Sequence, residues 1–297
     1  MIACVDIGGT AIKVGVLDLV GKIIERDVLE VNHELNAFTQ TLLAWVEKVR
    51  QMYDIQGIAI SSPGAVNTKI GIIGGSSAIP CIHGPNWKSI LAQATGLSVS
   101  IENDANCAAL AEVFNGSGKS ISDVLFLVCG TGIGGAIIKD GKIHHGKNLH
   151  GGEFGYMLME EHDGKFYNFS EVASTMSFVR KARAYYNDDS YDGMRVFEEA
   201  AKGNQFCLEI LDRFYLNLAK GIFNLQYIYD PELILIGGAI SQREDFVENI
   251  NEKLDYLLEN IEIAKIRPNV TTCSHKGDAN LIGALAHFLE ENEIEGI

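Results

Sequence analysis

A strand that runs into an acidic residue and a glycine pair constrains this chain more than any other feature. Asp6-Ile-Gly-Gly-Thr10 closes the apolar run Ile2 to Val5 and precedes a second strand-like run, Ile12 to Leu17. Such a turn handles phosphate. Its carboxylate can stand near a metal ion, and its glycines let backbone N–H groups approach phosphate oxygens with no Cβ in the way. A second turn, Cys129-Gly-Thr-Gly-Ile-Gly-Gly135, again follows an apolar run, Val124 to Val128. Either turn alone is equally a hairpin connection. The pair points to two halves that grip one nucleoside triphosphate.

A length of 297 residues accommodates two domains with full cores. The hydrophobic fraction of 47 % with only 5 prolines argues against long disorder. A net charge of −15 argues against nucleic acid, which requires a basic footprint. The 6 cysteines are scattered with no CxxC pair and read as reduced, buried thiols of a cytosolic protein. No basic region followed by a long apolar stretch opens the chain, and no apolar run reaches membrane-spanning length. The expected compartment is the cytoplasm, with no membrane partner.

Strands are predicted over Ile2–Ile7, Ile12–Asp18 and Ile23–Leu29, an antiparallel meander. A helix follows over Phe38–Tyr53, then a strand over Gln56–Ser61, a helix over Trp87–Thr95, a strand over Val99–Glu102 and a helix from Asn103 to Phe114. The second half repeats the scheme. Strands are predicted over Val124–Val128 and Gly134–Lys139, with a short one near Lys142. Helices are predicted over Ala173–Tyr186, Met194–Ala201 and Gln205–Tyr229. Leu233–Ile236 and Asn269–Cys273 are strands, Glu244–Leu258 and Ala279–Glu290 helices. The class is α/β. The expected division is an N-terminal domain of 1–112 plus the closing helix 282–297, and a C-terminal domain of 113–281, with the boundary near Cys107 to Lys119.

Glu102-Asn-Asp-Ala-Asn106 is the candidate catalytic segment. A strand end followed by a helix start sets Asp104 where open α/β sheets bind ligands. There it can take a proton from a sugar hydroxyl that attacks a γ-phosphate, with Asn103 orienting the hydroxyls. The same pattern also describes an ordinary N-cap. Glu153, flanked by glycines in Gly151-Gly-Glu-Phe-Gly155, suits paired hydrogen bonds to sugar hydroxyls, or is a solvated turn residue. Glu171 has the same two readings, the second being a helix-start Glu favoured by the dipole. Gly237-Gly238 admits an adenine or ribose against bare backbone, or makes a tight turn. His275 precedes the last helix without an assigned role. His144, His145, His150 and His162 lack cysteine partners and ligand spacing and read as surface or loop residues.

Taken in order, these motifs resemble the ROK family of sugar kinases and repressors, whose fold is the two-domain, ribonuclease H-like ATPase fold of actin with a cleft between domains. The resemblance covers essentially the whole chain. It implies that Asp6, Gly8, Gly9, Thr10 and Lys13 belong to the first phosphate loop, and Gly130, Thr131 and Gly132 to the second. Asp104 would be the base, Gly237-Gly238 the adenosine turn, and Asn103, Glu153 and Glu171 the sugar contacts. ATP and Mg²⁺ are the implied cofactors, with Asp6 holding Mg²⁺ through water; the implied assembly is a homodimer. Two departures stand out. The family's zinc-binding Cys-rich stretch matches Glu160 to Phe169, where there is no cysteine, so structural zinc is not expected. The family's usual His is here Tyr156, which reshapes the anomeric end of the sugar pocket. This combination is most similar to the bacterial β-glucoside kinases, which act on the 6-hydroxyl of the non-reducing glucose in disaccharides such as cellobiose. The alternatives within the family are a glucokinase, a fructokinase or an N-acetylmannosamine kinase. Outside enzymes they are a sugar-responsive regulator, with no room before Asp6 for a DNA-binding region, and a silent binding protein.

Overall fold

The computed structural model describes residues 1–294. In chain order the elements begin with strands β1 (Ile2–Ile7), β2 (Ala11–Leu17) and β3 (Ile23–Glu30), then helix α1 (Leu35–Arg50). Next come β4 (Gly57–Ser62), β5 (Ala65–Asn67), β6 (Ile72–Gly74), α2 (Trp87–Thr95), β7 (Ser98–Asn103) and α3 (Asp104–Asn115). Strands β8 (Val124–Cys129), β9 (Ile133–Lys139), β10 (Lys142–Ile143), β11 (Leu158–His162) and β12 (Lys165–Asn168) follow. Helices α4 (Phe169–Ala173), α5 (Thr175–Tyr186), α6 (Gly193–Ala201) and α7 (Gln205–Tyr229) lead to β13 (Leu233–Gly237). Helix α8 (Phe246–Asn260), β14 (Val270–Thr272) and α9 (Ala279–Glu291) complete the order.

The residues divide into two compact units. The first holds Met1–Ser120, His145–Gly151 and His275–Ile297; the second holds Ile121–His144 and Gly152–Ser274. The closing segment expected in the N-terminal domain, 282–297, is described through Ile294, and 295–297 lie outside the described residues.

In the first unit a five-stranded sheet has the order β3-β2-β1-β4-β7. Strands β1 to β3 pair antiparallel, while β1, β4 and β7 run parallel. Every residue of β1 and β4 is buried, as central strands covered on both faces require. The edge strand β3 alternates partly buried and exposed positions. One face packs on α1, which buries Phe38, Leu42, Trp45, Val46 and Val49 at helical spacing, and on Trp87 of α2. The other face takes α3 and α9, with Cys107, Ala111, Leu281, Leu285 and Phe288 in its core. These helices approach so closely that a Cβ on Gly283 would sit 1.7 Å from the Cys107 carbonyl oxygen.

The second unit repeats the plan in a sheet of order β10-β9-β8-β13-β14, an antiparallel meander followed by parallel strands. Its core packs β8 and β13 against α4 to α8 around Phe169, Phe178, Phe214 and Phe246. Three findings differ from the sequence reading, the first being the β5–β6 hairpin in the first unit, where no strand was expected. The helix expected over Ala173–Tyr186 is α5, and a further short helix, α4, precedes it across a break at Ser174, where the Thr175 N–H donates to the Gly130 carbonyl. Strands β11 and β12 form a hairpin from Leu158 to Asn168, in the stretch read as lacking zinc ligands. No described helix is long and apolar enough to cross a membrane.

Candidate active site

In the first unit the site residues gather at one sheet edge. Strands β1, β4 and β7 are parallel, and the register aligns Asp6 with Ser61 and Ser61 with Glu102. Their carboxyl ends therefore share the edge at which open α/β sheets bind ligands. Asp6 is buried, and its Oδ1 accepts from Ser61 Oγ at 3.2 Å and from Asn280 Nδ2 at 2.9 Å. Burial pushes its carboxyl up against the lowering effect of those bonds and of the Lys13 charge.

Asp104 opens α3 and is half-buried. Its Oδ1 accepts from the Ala105 N–H at 2.8 Å and from Asn103 Nδ2 at 3.0 Å. Its Oδ2 accepts no hydrogen bond from another described residue. Burial raises its pKa first, and the nearby Asp6 charge pushes the same way.

Asn103 is the N-cap of this helix. Its Oδ1 accepts from the Ala105 and Asn106 N–H groups at 2.9 and 3.1 Å. Its Nδ2 donates to Gly64 O and Asp104 Oδ1, both at 3.0 Å. Both amide hydrogens and both lone pairs are thus committed. The cap and catalytic readings of the motif divide between two residues: Asn103 caps, and Asp104 keeps a carboxylate oxygen free.

The remaining members of the first glycine turn are less buried. The Gly8 N–H donates to Ala11 O at 3.1 Å, and a Cβ on Gly8 would lie 2.8 Å from that same oxygen, so this glycine is required by the hairpin itself. Gly8 is half-exposed, and Gly9 and Thr10 are exposed beside it. Lys13 is exposed, and its Nζ donates to Gly277 O at 3.3 Å.

In the second unit Gly130 to Gly132 joins β8 to β9, and Gly237-Gly238 ends the neighbouring β13. A Cβ on Gly130 would meet nothing within 4 Å, and Gly130 has no positive φ. Neither packing nor backbone conformation requires glycine there. Gly238 is the opposite case: φ is +101°, and a Cβ would fall 2.2 Å from Cys129 O, so it serves the turn. Thr131 is exposed at the tip of the β8–β9 turn. Ser170, which the sequence reading did not single out, organises this end. Its Oγ accepts from the Ile133 N–H at 2.9 Å and donates to Ile133 O at 3.3 Å. A Cβ on Gly132 would lie 3.3 Å from that Oγ, and one on Gly155 2.4 Å from it. The second glycine turn, the turn that carries Glu153 and Tyr156, and the start of α4 thus converge on one hydroxyl.

Glu153 is exposed and its carboxylate has no partner among the described residues. Tyr156 is 73 % exposed. Glu171 sits in a capping box: its Oε2 accepts from the Asn168 N–H at 2.9 Å, while Asn168 Oδ1 accepts from the Glu171 N–H at 2.9 Å. The helix-start reading of Glu171 therefore describes what this carboxylate does in the structure, with its Oε1 left over.

His145 lies in the loop after β10, within the surface-or-loop reading, but it also has a buried partner that the sequence reading did not give. Its Nε2 donates to Glu102 Oε2 at 2.6 Å, and Glu102 is 0 % exposed. Nothing local signals this pair, which spans 43 positions. His162 is exposed and pairs with Glu160 at 3.1 Å, and His150 bonds Asn148 O within its own loop. The His275 N–H donates to Glu112 Oε1 at 2.7 Å. Among the described residues no group of three or more His, Cys, Asp or Glu side chains gathers to hold a metal ion.

The chain matches the ROK family over residues 2–291. It belongs to the ROK family. This ROK chain is 36 % identical to a β-glucoside kinase from Listeria monocytogenes, over 98 % of both chains. It is 35 % identical to a β-glucoside kinase from Klebsiella pneumoniae, over 97 % of this chain and 95 % of that one. Among solved structures it is similar to a ROK family protein from Streptococcus pneumoniae TIGR4 in complex with sucrose. That match has 39 % identity and a TM-score of 0.91, over 98 % and 99 % of the two chains. The repeated sheets of this ROK chain are those of the two-domain, actin-like fold of the family's sugar kinases.

Proposed function

We propose that this ROK sugar kinase transfers the γ-phosphoryl group of ATP to the 6-hydroxyl of a glucose unit in β-glucosides such as cellobiose. The observation that carries the base assignment is Asp104. It stands at the carboxyl edge of the parallel strands, half-buried, with one oxygen held and the other free of protein partners. The sugar O6–H would give its proton to Asp104 as the new O6–P bond forms and the bond from phosphorus to the bridging oxygen of ADP breaks. The products are the sugar 6-phosphate and ADP. Most of the acceleration in such a transfer comes from positioning and charge stabilisation.

Gly130 fits a phosphate loop because nothing in the protein demands a glycine there, which leaves close approach of a ligand as its use. Asp6 suits Mg²⁺, which is held by one or two carboxylates while phosphate and water complete its shell, and it has one oxygen uncommitted to protein. When bound, that ion supplies neutralisation of phosphate charge. The free carboxylate of Glu153 suits paired contacts to sugar hydroxyls.

The β-linked substrate class rests on the two relatives named for it, and on Tyr156. Its exposed ring stands where the family's His is usual, so the anomeric end need not clamp a free hydroxyl. The sucrose held by the Streptococcus protein is an α-glucoside, so it supports a substituted anomeric oxygen but not the β linkage.

The test is ADP release with Mg·ATP against cellobiose, gentiobiose, glucose, fructose and N-acetylmannosamine. The expected result is turnover of the β-linked disaccharides above all monosaccharides, lost by about 100-fold or more in Asp104→Asn. Efficient turnover of one monosaccharide with poor turnover of cellobiose would overturn the substrate class and leave the base. Near-normal activity of Asp104→Asn would remove Asp104 from the base role.

A further inference from the structure

Glu102 is the most completely enclosed carboxylate near the proposed base, and no part of the phosphoryl-transfer scheme uses it. It is 0 % exposed, and all its bonding capacity points at the β7–α3 junction or at one histidine. Oε1 accepts from the Asn103 N–H at 2.6 Å and from Asn106 Nδ2 at 3.0 Å. Oε2 accepts from His145 Nε2 at 2.6 Å, with His287 Nδ1 farther off at 3.9 Å. One of the residues that Glu102 holds, Asn103, also holds Asp104, and another, Asn106, bonds to Asn103. Asn103 caps α3 and donates to Asp104 Oδ1, and Asn106 donates its N–H to the Asn103 cap.

His145 comes from elsewhere in the chain. It begins His145–Gly151, a short segment that belongs to the first unit although the residues on both sides of it belong to the second. The segment closes on itself through the Gly151 N–H donating to His145 O at 2.9 Å. Among the described residues, the His145–Glu102 bond is its one side-chain hydrogen bond to the rest of the unit. Without His145, Glu102 Oε2 would be left buried with no hydrogen-bond donor and only His287 Nδ1 near it, at 3.9 Å. A buried carboxylate in that state is strongly unfavourable, and the first turn of α3 would shift to relieve it.

We propose that His145 is a positioning residue for phosphoryl transfer: through the buried Glu102 carboxylate it fixes the first turn of α3 and with it the free oxygen of Asp104. This rests on Asp104 being the base. The role is geometric. A misplacement of about 1 Å in a reacting group lowers turnover by as much as 100-fold while substrates still bind.

The experiment measures kcat and KM for sugar and ATP in His145→Ala, His145→Gln, Glu102→Gln and the double variant Glu102→Gln/His145→Ala, with Asp104→Asn alongside. His145→Ala is expected to lose kcat by between about 10- and 100-fold with both KM values within about threefold of the parent. His145→Gln keeps a donor at similar reach and is expected to regain most of that kcat. In the Glu102→Gln background, removal of His145 is expected to have little further effect, because the path is already broken. Circular dichroism and thermal melts separate folding from turnover, and His145→Gln carries the test if His145→Ala does not fold. Parent-like kcat in His145→Ala, failure of His145→Gln to recover turnover, or full additivity with Glu102→Gln would each overturn the proposal. An inactive Asp104→Asn beside a fully active His145→Ala removes the positioning role and keeps the base. An active Asp104→Asn removes the reading on which the role rests.

Discussion

Asp104, proposed as the base, is a half-buried carboxylate. Desolvation raises its carboxyl, with Asp6 adding to the effect, while the Ala105 N–H and Asn103 oppose it. A base with a raised pKa loses its function at a higher pH than an ordinary aspartate. The acidic limb of kcat/KM is therefore expected above the ordinary value of about 3.9. A limb at or below that value in a pH–rate profile would show that the base is not this group. Glu102 and His145 make a second, opposite prediction. Burial would raise Glu102, but the His145 hydrogen bond and the charges of both histidines outweigh it and hold it below its ordinary range. The Glu102 hydrogen bond raises His145. A raised histidine contributes stability in full below its unfolded value of about 6.5 and loses it as pH rises through the folded value. A lowered glutamate contributes above its unfolded value and loses it as pH falls through the folded one. The stability gap between the parent and His145→Gln, read by urea unfolding, should be widest near pH 6 and shrink on both sides. A constant gap across pH would count against the charged pair. Asp104 was legible in the sequence because strand end, cap and carboxylate are consecutive. The partners of the neighbouring carboxylates were not, since His145, which bonds Glu102, and Asn280, which bonds Asp6, reach this edge from distant positions with no periodicity to mark them.

Among the elements, most of the strands and helices follow from apolar period and caps, so β1, α2, α3 and α7 lie within a residue or two of their sequence expectation. Two of the differences have a common cause. The α4–α5 break and the β11–β12 hairpin depend on tertiary contacts, the Gly130 carbonyl in one case and Arg213 gripping Glu160 at 2.7 Å in the other. Ser170→Ala removes both bonds to Ile133 and is expected to destabilise by about 1–2 kcal/mol while raising KM for ATP more than KM for sugar. Equal changes in both would detach the second glycine turn from nucleotide binding. At the α3–α9 crossing, Gly283→Ala would drive a methyl into the Cys107 carbonyl. The expected loss is at least about 2 kcal/mol, read from the urea midpoint. A neutral result would mean that the two helices can separate freely.

For the whole molecule, two compact units, the first with a core on each face of its sheet and the second with its own, imply two cooperative events. Calorimetry is expected to give an unfolding enthalpy larger than the van't Hoff value, and a single coincident transition would show that the cores melt as one. The paired glycine turns made the repetition of the sheets readable in advance. The assignment of His145–Gly151 to the first unit was not, because no composition change marks it. The placement of α9 has a further consequence, for the order in which the molecule is made. The first unit is begun by β1, but one face of its sheet is covered by α9, which leaves the ribosome after all of the second unit. At about 5–20 residues per second, the stretch from Ile121 to Ser274 takes on the order of ten seconds to synthesise. Throughout that interval Ile2, Cys4 and Ala59 lack their covering helix, so the half translated first is the half that matures last.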